Sequence, residues 1–108
     1  MGKMQQRKGR LGEIELRDTL REYGYQVERG PSQSYGTVPD VSGLPDIHIE
    51  VKRQERLDLL SAIQQAQRDS ERFRDGLPAV FHRRNRSPWL VTMPLDCWMQ
   101  LYKKAERS

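Results

Sequence analysis

The chain reads as an α/β domain with a central mixed sheet flanked by helices, in the order α-β-β-β-α-β-β-α. Two apolar stripes at helical spacing, one opening the chain and one in its middle, predict this. Short segments that alternate apolar and polar residues lie between and after them, as strands half-covered by helices do. At 108 residues, 35% of them hydrophobic, the chain has room for a single domain over 1–108 with one modest core.

From about Arg7 to Tyr23 the residues are good helix formers without proline. Leu16, Leu20 and Tyr23 form a stripe that Leu11 and Ile14 broaden, and Gly24 ends the helix. Tyr25 to Arg29 alternates as a strand, and Gly30 to Gly36 is a Ser/Gly/Pro loop. Thr37 to Ser42 and Ile47 to Arg53 read as two strands joined by the turn set Gly43-Leu44-Pro45-Asp46. A helix from about Leu57 to Arg74 follows, with Leu59, Ala62, Ile63, Ala66 and Phe73 on its apolar side, and Gly76-Leu77-Pro78 breaks it. Ala79 to Arg83 and Trp89 to Met93 are two further strands linked by Arg84-Asn85-Arg86-Ser87-Pro88. Pro94 opens a last helix carrying Leu95, Trp98, Met99 and Leu101.

Nineteen Lys and Arg against fifteen Asp and Glu leave a net charge of +4, which by itself describes a solvated surface. Its placement says more, because phosphate binding needs clustered cations. The single cysteine, Cys97, excludes an intramolecular disulfide and a multi-cysteine zinc site, and its place in the last helix predicts a core or half-buried thiol. No apolar run approaches the ~20 residues that cross a bilayer. The N-terminus lacks the apolar stretch of a signal peptide, so the expectation is an intracellular protein.

The chemistry concentrates in Glu50-Val51-Lys52. Period-2 geometry puts Ile47, Ile49 and Val51 on one strand face and His48, Glu50 and Lys52 on the other. The plain reading of the second face is a charged sheet surface. The preceding strand changes the balance: a hairpin pairing Val41 with Ile49 and Asp40 with Glu50 brings two carboxylates to about 5 Å at Cβ. Two carboxylates with waters and phosphate oxygens are how Mg²⁺ is usually held. Lys52 beside them offers a positive charge for a phosphate or an attacking water. Asp46, the other Pro-Asp aspartate, reads as a turn residue.

Pro39-Asp40, a turn, then Glu50-Val51-Lys52 resembles the signature of the PD-(D/E)xK nucleases. Lys8-Gly9, then Glu13-Ile14-Glu15-Leu16, is similar to the opening helix of archaeal-type and phage Holliday-junction resolvases. Gly30-Pro31-Ser32-Gln33-Ser34 resembles their Gly/Ser loop, and Gln65-Ala66 a helix glutamine of related nucleases. The likeness spans roughly residues 7 to 93. One departure is the short separation of Asp40 and Glu50, ten positions, which leaves little room for specificity elements.

The resemblance implies a restriction-endonuclease-like fold and a metal-dependent, structure-selective DNA endonuclease, with Mg²⁺ as cofactor and Mn²⁺ as substitute. It implies catalytic roles for Asp40, Glu50, Lys52, Glu13 and Gln65, and a metal site of Glu13, Asp40, Glu50 and Val51. Glu13 has a second reading at the edge of the helix stripe, reaching solvent or an arginine such as Arg17. Gln65 has one as a surface residue beside Gln64 and Gln67. His48 reads as a neighbour of the site rather than its base, and His82 as structural. The basic clusters Arg7-Lys8-Arg10, Arg53 with Arg56, and Arg83-Arg84-Arg86 become DNA-backbone contacts. Ser32, Ser34 and Tyr35 join them, Tyr35 by stacking on an unpaired base. The implied partners are branched or four-way DNA and a second copy of the chain, with no membrane and no nucleotide cofactor. The implied location is the cytoplasm of a bacterial, archaeal or phage-infected cell. Two alternatives stand beside the resolvase: a nuclease for other branched or replicating DNA, and a DNA-binding module that does not cleave.

Overall fold

The computed structural model describes residues 3–31 and 36–108, with side chains from Gly9 onward. Its elements are α1 (Lys3–Glu22), β1 (Glu28–Arg29), β2 (Val41–Ser42), β3 (Ile47–Arg53), α2 (Leu59–Phe73), β4 (Leu77–Arg83), β5 (Leu90–Thr92) and α3 (Leu95–Glu106). The predicted order holds, and the fold is a mixed sheet flanked by helices. β3 and β4 run parallel, as strands joined by a helical crossover can, and β4 and β5 run antiparallel.

Several boundaries differ from expectation. Only Glu28–Arg29 of the first predicted strand and Val41–Ser42 of the second form ladders. Leu77 and Pro78, expected to end the middle helix, begin β4. Arg74 in the left-handed conformation, φ 51°, ends α2 instead. Asp58 starts that helix by accepting from the Ser61 backbone N–H at 3.2 Å.

The larger correction concerns the hairpin. β2 pairs antiparallel with β1, matching Arg29 with Val41 and Glu28 with Ser42, while β3 pairs with β4. The Asp40 carbonyl accepts from the Gly30 N–H at 2.9 Å, extending the β1–β2 pairing rather than reaching β3. Gly30 permits this approach, since a Cβ there would lie 2.5 Å from the Pro39 carbonyl oxygen.

The main core gathers Leu16, Val27, Val41, Ile49, Ala79 and Phe81, with Ile47 and Val51 packed against it. Burying each of its Leu, Val, Ile and Phe side chains contributes about 1.5–3 kcal/mol. Ala62, Ala66 and Val80 form a second cluster between α2 and the opposite sheet face. The sheet is therefore covered on both sides. The polar face of β3 is not a solvated surface: His48 is 2% and Glu50 7% exposed. Leu11, Tyr23, Leu95, Trp98 and Met99, assigned to apolar stripes, are exposed, and only Cys97 of α3 is buried.

Gly12 fixes how α1 meets β3. A Cβ on Gly12 would stand 2.5 Å from the Cβ of Arg53, so glycine lets the helix lie directly on the strand.

Candidate active site

β3 presents His48, Glu50 and Lys52 toward α2. Lys52 Nζ donates to Gln65 Oε1 at 2.8 Å, while Gln64 next to it is exposed. Asp69 and Phe73 follow Gln65 at successive turns of the same helix face. Asp69 is not among the site residues expected from the sequence, although its spacing from Gln65 is visible there. His48, Glu50 and Asp69 each place a possible ligand atom within 4.8 Å of the others.

Asp40 reaches this region without the predicted ladder. A cleft of about 100 Å³ is bounded by Asp40, Glu50, Val51, Asp69 and Arg72, with Pro39 at its wall. Asp46 lies elsewhere: its exposed carboxylate is 3.4 Å from Lys104 Nζ, and its left-handed φ of 69° marks the turn before β3.

Glu13 lies outside the lining of this cleft but within range of its charges. Burial raises its pKa, the charge of Asp40 raises it further, and Glu50 adds to this, while Arg29 opposes them. Arg29 Nη2 is 3.1 Å from Glu13 Oε1, so Arg29, not Arg17, is its cationic partner. Arg17 pairs with Asp18. Glu13 thus feels the charges of both Asp40 and Glu50 in partly desolvated surroundings. Carboxylate oxygens are the ligands Mg²⁺ prefers, and among the described residues those that bring ligand atoms within 4.8 Å of one another are Glu50 and Asp69, with His48.

Two of the arginines expected on DNA are engaged inside the protein. Glu15 pairs with both Arg83 and Arg53, the latter at 3.4 Å. Arg53 also donates to Asn85 Oδ1 at 2.9 Å, tying β3 to the β4–β5 turn. Arg10, Arg56, Arg84 and Arg86 are exposed. Ser32, Ser34, Tyr35 and the side chains of Arg7 and Lys8 lie outside the described residues. His82 Nε2 meets Thr92 Oγ1 at 2.8 Å across β4 and β5, and burial lowers its pKa.

A mixed sheet with the acidic cleft at its edge defines a restriction-endonuclease-like fold. The chain is similar to the solved structure of Archaeoglobus fulgidus Hjc, a Holliday junction resolvase from an archaeal hyperthermophile. The TM-score is 0.60 at 22% identity, over 82% of this chain and 74% of that one. The resemblance expected from the sequence is met at the level of the fold. The sequence matches no protein-family model and no curated protein. Among the described residues no helix is long and apolar enough to cross a membrane.

Proposed function

We propose that the chain is a metal-dependent endonuclease that hydrolyses phosphodiester bonds in branched DNA, four-way junctions foremost. The observation that carries this reading is that Asp40, Glu50 and Asp69 line one cleft, with Lys52 on the strand face of Glu50 and Glu13 close enough to feel the charges of Asp40 and Glu50. The likeness of fold to a Holliday junction resolvase supports the substrate class.

Glu13, Asp40 and Glu50, with Val51 beside them, would hold Mg²⁺, with Mn²⁺ able to replace it. The bound cation supplies Lewis-acid polarisation of the phosphate and a more acidic water. Lys52, oriented by Gln65, places a positive charge where negative charge grows on the phosphate. Arg10, Arg56, Arg84 and Arg86 face solvent and suit DNA-backbone contacts, joined in this reading by Arg7, Lys8, Ser32, Ser34 and Tyr35. Arg53 and Arg83 would have to exchange Glu15 for phosphate.

Cutting a four-way junction in matched positions calls for two sites related by a two-fold axis, hence a homodimer. Trp98 and Tyr102, stacked at 5.3 Å and half-exposed on α3 near the exposed Leu95, offer apolar surface for it. Sedimentation at micromolar concentration checks this, and a monomer that still makes paired cuts contradicts it.

The test of the function compares labelled four-way junction, Y-fork and linear duplex, each with and without Mg²⁺. Mg²⁺-dependent cutting confined to branched substrates is expected. Equal cutting of all three removes the resolvase reading, and binding without cutting leaves a DNA-binding module.

A further inference from the structure

We propose that His48, held in place by Asp75, positions Glu50 for divalent-cation binding. The proposal deepens the reading above and rests on Glu50 being a metal ligand. His48 Nε2 lies 3.2 Å from Glu50 Oε1, and His48 Nδ1 lies 2.9 Å from both oxygens of Asp75. Both ring nitrogens face carboxylate oxygens, so the imidazole bridges Glu50 and Asp75. The ring plane is held as well: Phe73 stacks on it at 6.3 Å and 16°, and the Arg72 guanidinium covers Phe73 at 5.1 Å.

Glu50 needs such a partner. A carboxylate 7% exposed, without a donor, would carry a large desolvation cost. His48 satisfies one oxygen and leaves Oε2 to serve as a ligand. The logic is that of the carboxylate–histidine pairs that orient metal ligands elsewhere, with Glu50 standing between the histidine and the cation. The fold supplies Asp75 through the turn after α2, where left-handed Arg74 precedes it and Gly76, φ 134°, leads into β4. Asp75 pairs with His48 across 27 positions, so no local sequence pattern announces it.

The experiment titrates the purified full chain with Mn²⁺ and follows free Mn²⁺ by electron paramagnetic resonance. Wild type should bind, and Glu50→Gln should bind far more weakly. His48→Ala should weaken binding by about ten- to hundredfold, as removal of such outer partners does. His48→Gln, whose amide still donates to Glu50, should recover part of the loss, and Asp75→Asn should lose less than His48→Ala. Circular dichroism reports whether each variant is folded. If His48→Ala does not fold, the nearly isosteric Asp75→Asn carries the test. Folded His48→Ala or Asp75→Asn protein that binds Mn²⁺ like wild type would overturn the proposal, as would His48→Gln binding no better than His48→Ala. Absence of Mn²⁺ binding by wild type, or unchanged binding by Glu50→Gln, would overturn the metal reading itself and the positioning role with it.

Discussion

Lys52 on β3 and Gln65 on α2 are joined by a 2.8 Å hydrogen bond from Nζ to Oε1. It fixes an otherwise flexible ammonium on the strand face that also carries Glu50. A lysine tethered this way delivers its charge to a defined place, which is what stabilising a transition state requires.

Lys52→Ala should therefore lower Mg²⁺-dependent cleavage by ~10²–10³-fold, the usual loss when a preorganised charge or donor is removed. Gln65→Ala should lose less, about tenfold, because it disturbs only the orientation of Lys52. Gln64→Ala, on the exposed side of α2, should behave as wild type. Single-turnover rates check this, and equal effects at Gln64 and Gln65 would contradict it.

Asp40 and Asp46 both follow a proline, and the structure separates them. Asp40 borders the cleft with Glu50, whereas Asp46 sits in a turn near Lys104. Asp40→Asn is expected to eliminate cleavage. Asp46→Asn should retain most of it, since asparagine tolerates the left-handed backbone at that position. The reverse pattern in a cleavage assay would move the metal site.

The arginines divide into two groups. Neutralising Arg84 and Arg86 together should reduce the slope of log affinity against log salt, by about 0.9 for each phosphate that is no longer neutralised. Arg83→Ala should instead cost stability, roughly 0.2–1 kcal/mol for a half-exposed ion pair with Glu15. Salt-dependent binding and thermal melting, run on the same variants, distinguish the two.

Gly12→Ala adds one methyl group where Arg53 Cβ already stands, at 2.5 Å. The ~1 kcal/mol that alanine contributes to helix propensity does not offset overpacking of about 1–3 kcal/mol. Denaturant unfolding should show a net loss of stability, and a gain would mean that α1 does not rest on β3 this closely.

Much of this is legible in the chain. The alternation of Ile47, Ile49 and Val51 against His48, Glu50 and Lys52 locates β3 and its two faces. What alternation cannot show is what covers each face: Gln65 and Asp69 look like ordinary surface residues of a helix until α2 is laid across the strand. Nor can it choose a strand's partner. Gly43 to Asp46 is a plausible hairpin turn, yet Val41 and Ser42 pair with Glu28 and Arg29, whose two-residue ladder leaves only a faint pattern. Asp40 reaches Glu50 by packing rather than by register. Asp75, Arg29 and the Glu15 network are long-range partners, and no local signal points to them.

The most direct measurement is Mg²⁺-dependent cleavage of a labelled four-way junction by wild type and Glu50→Gln, with junction binding recorded on the same preparations. Wild type should cut only when Mg²⁺ is present. Glu50→Gln should bind the junction as wild type does and leave it intact. Undiminished cutting by Glu50→Gln, or cutting by wild type in excess chelator, would contradict the assignment of this cleft as the metal-dependent active site.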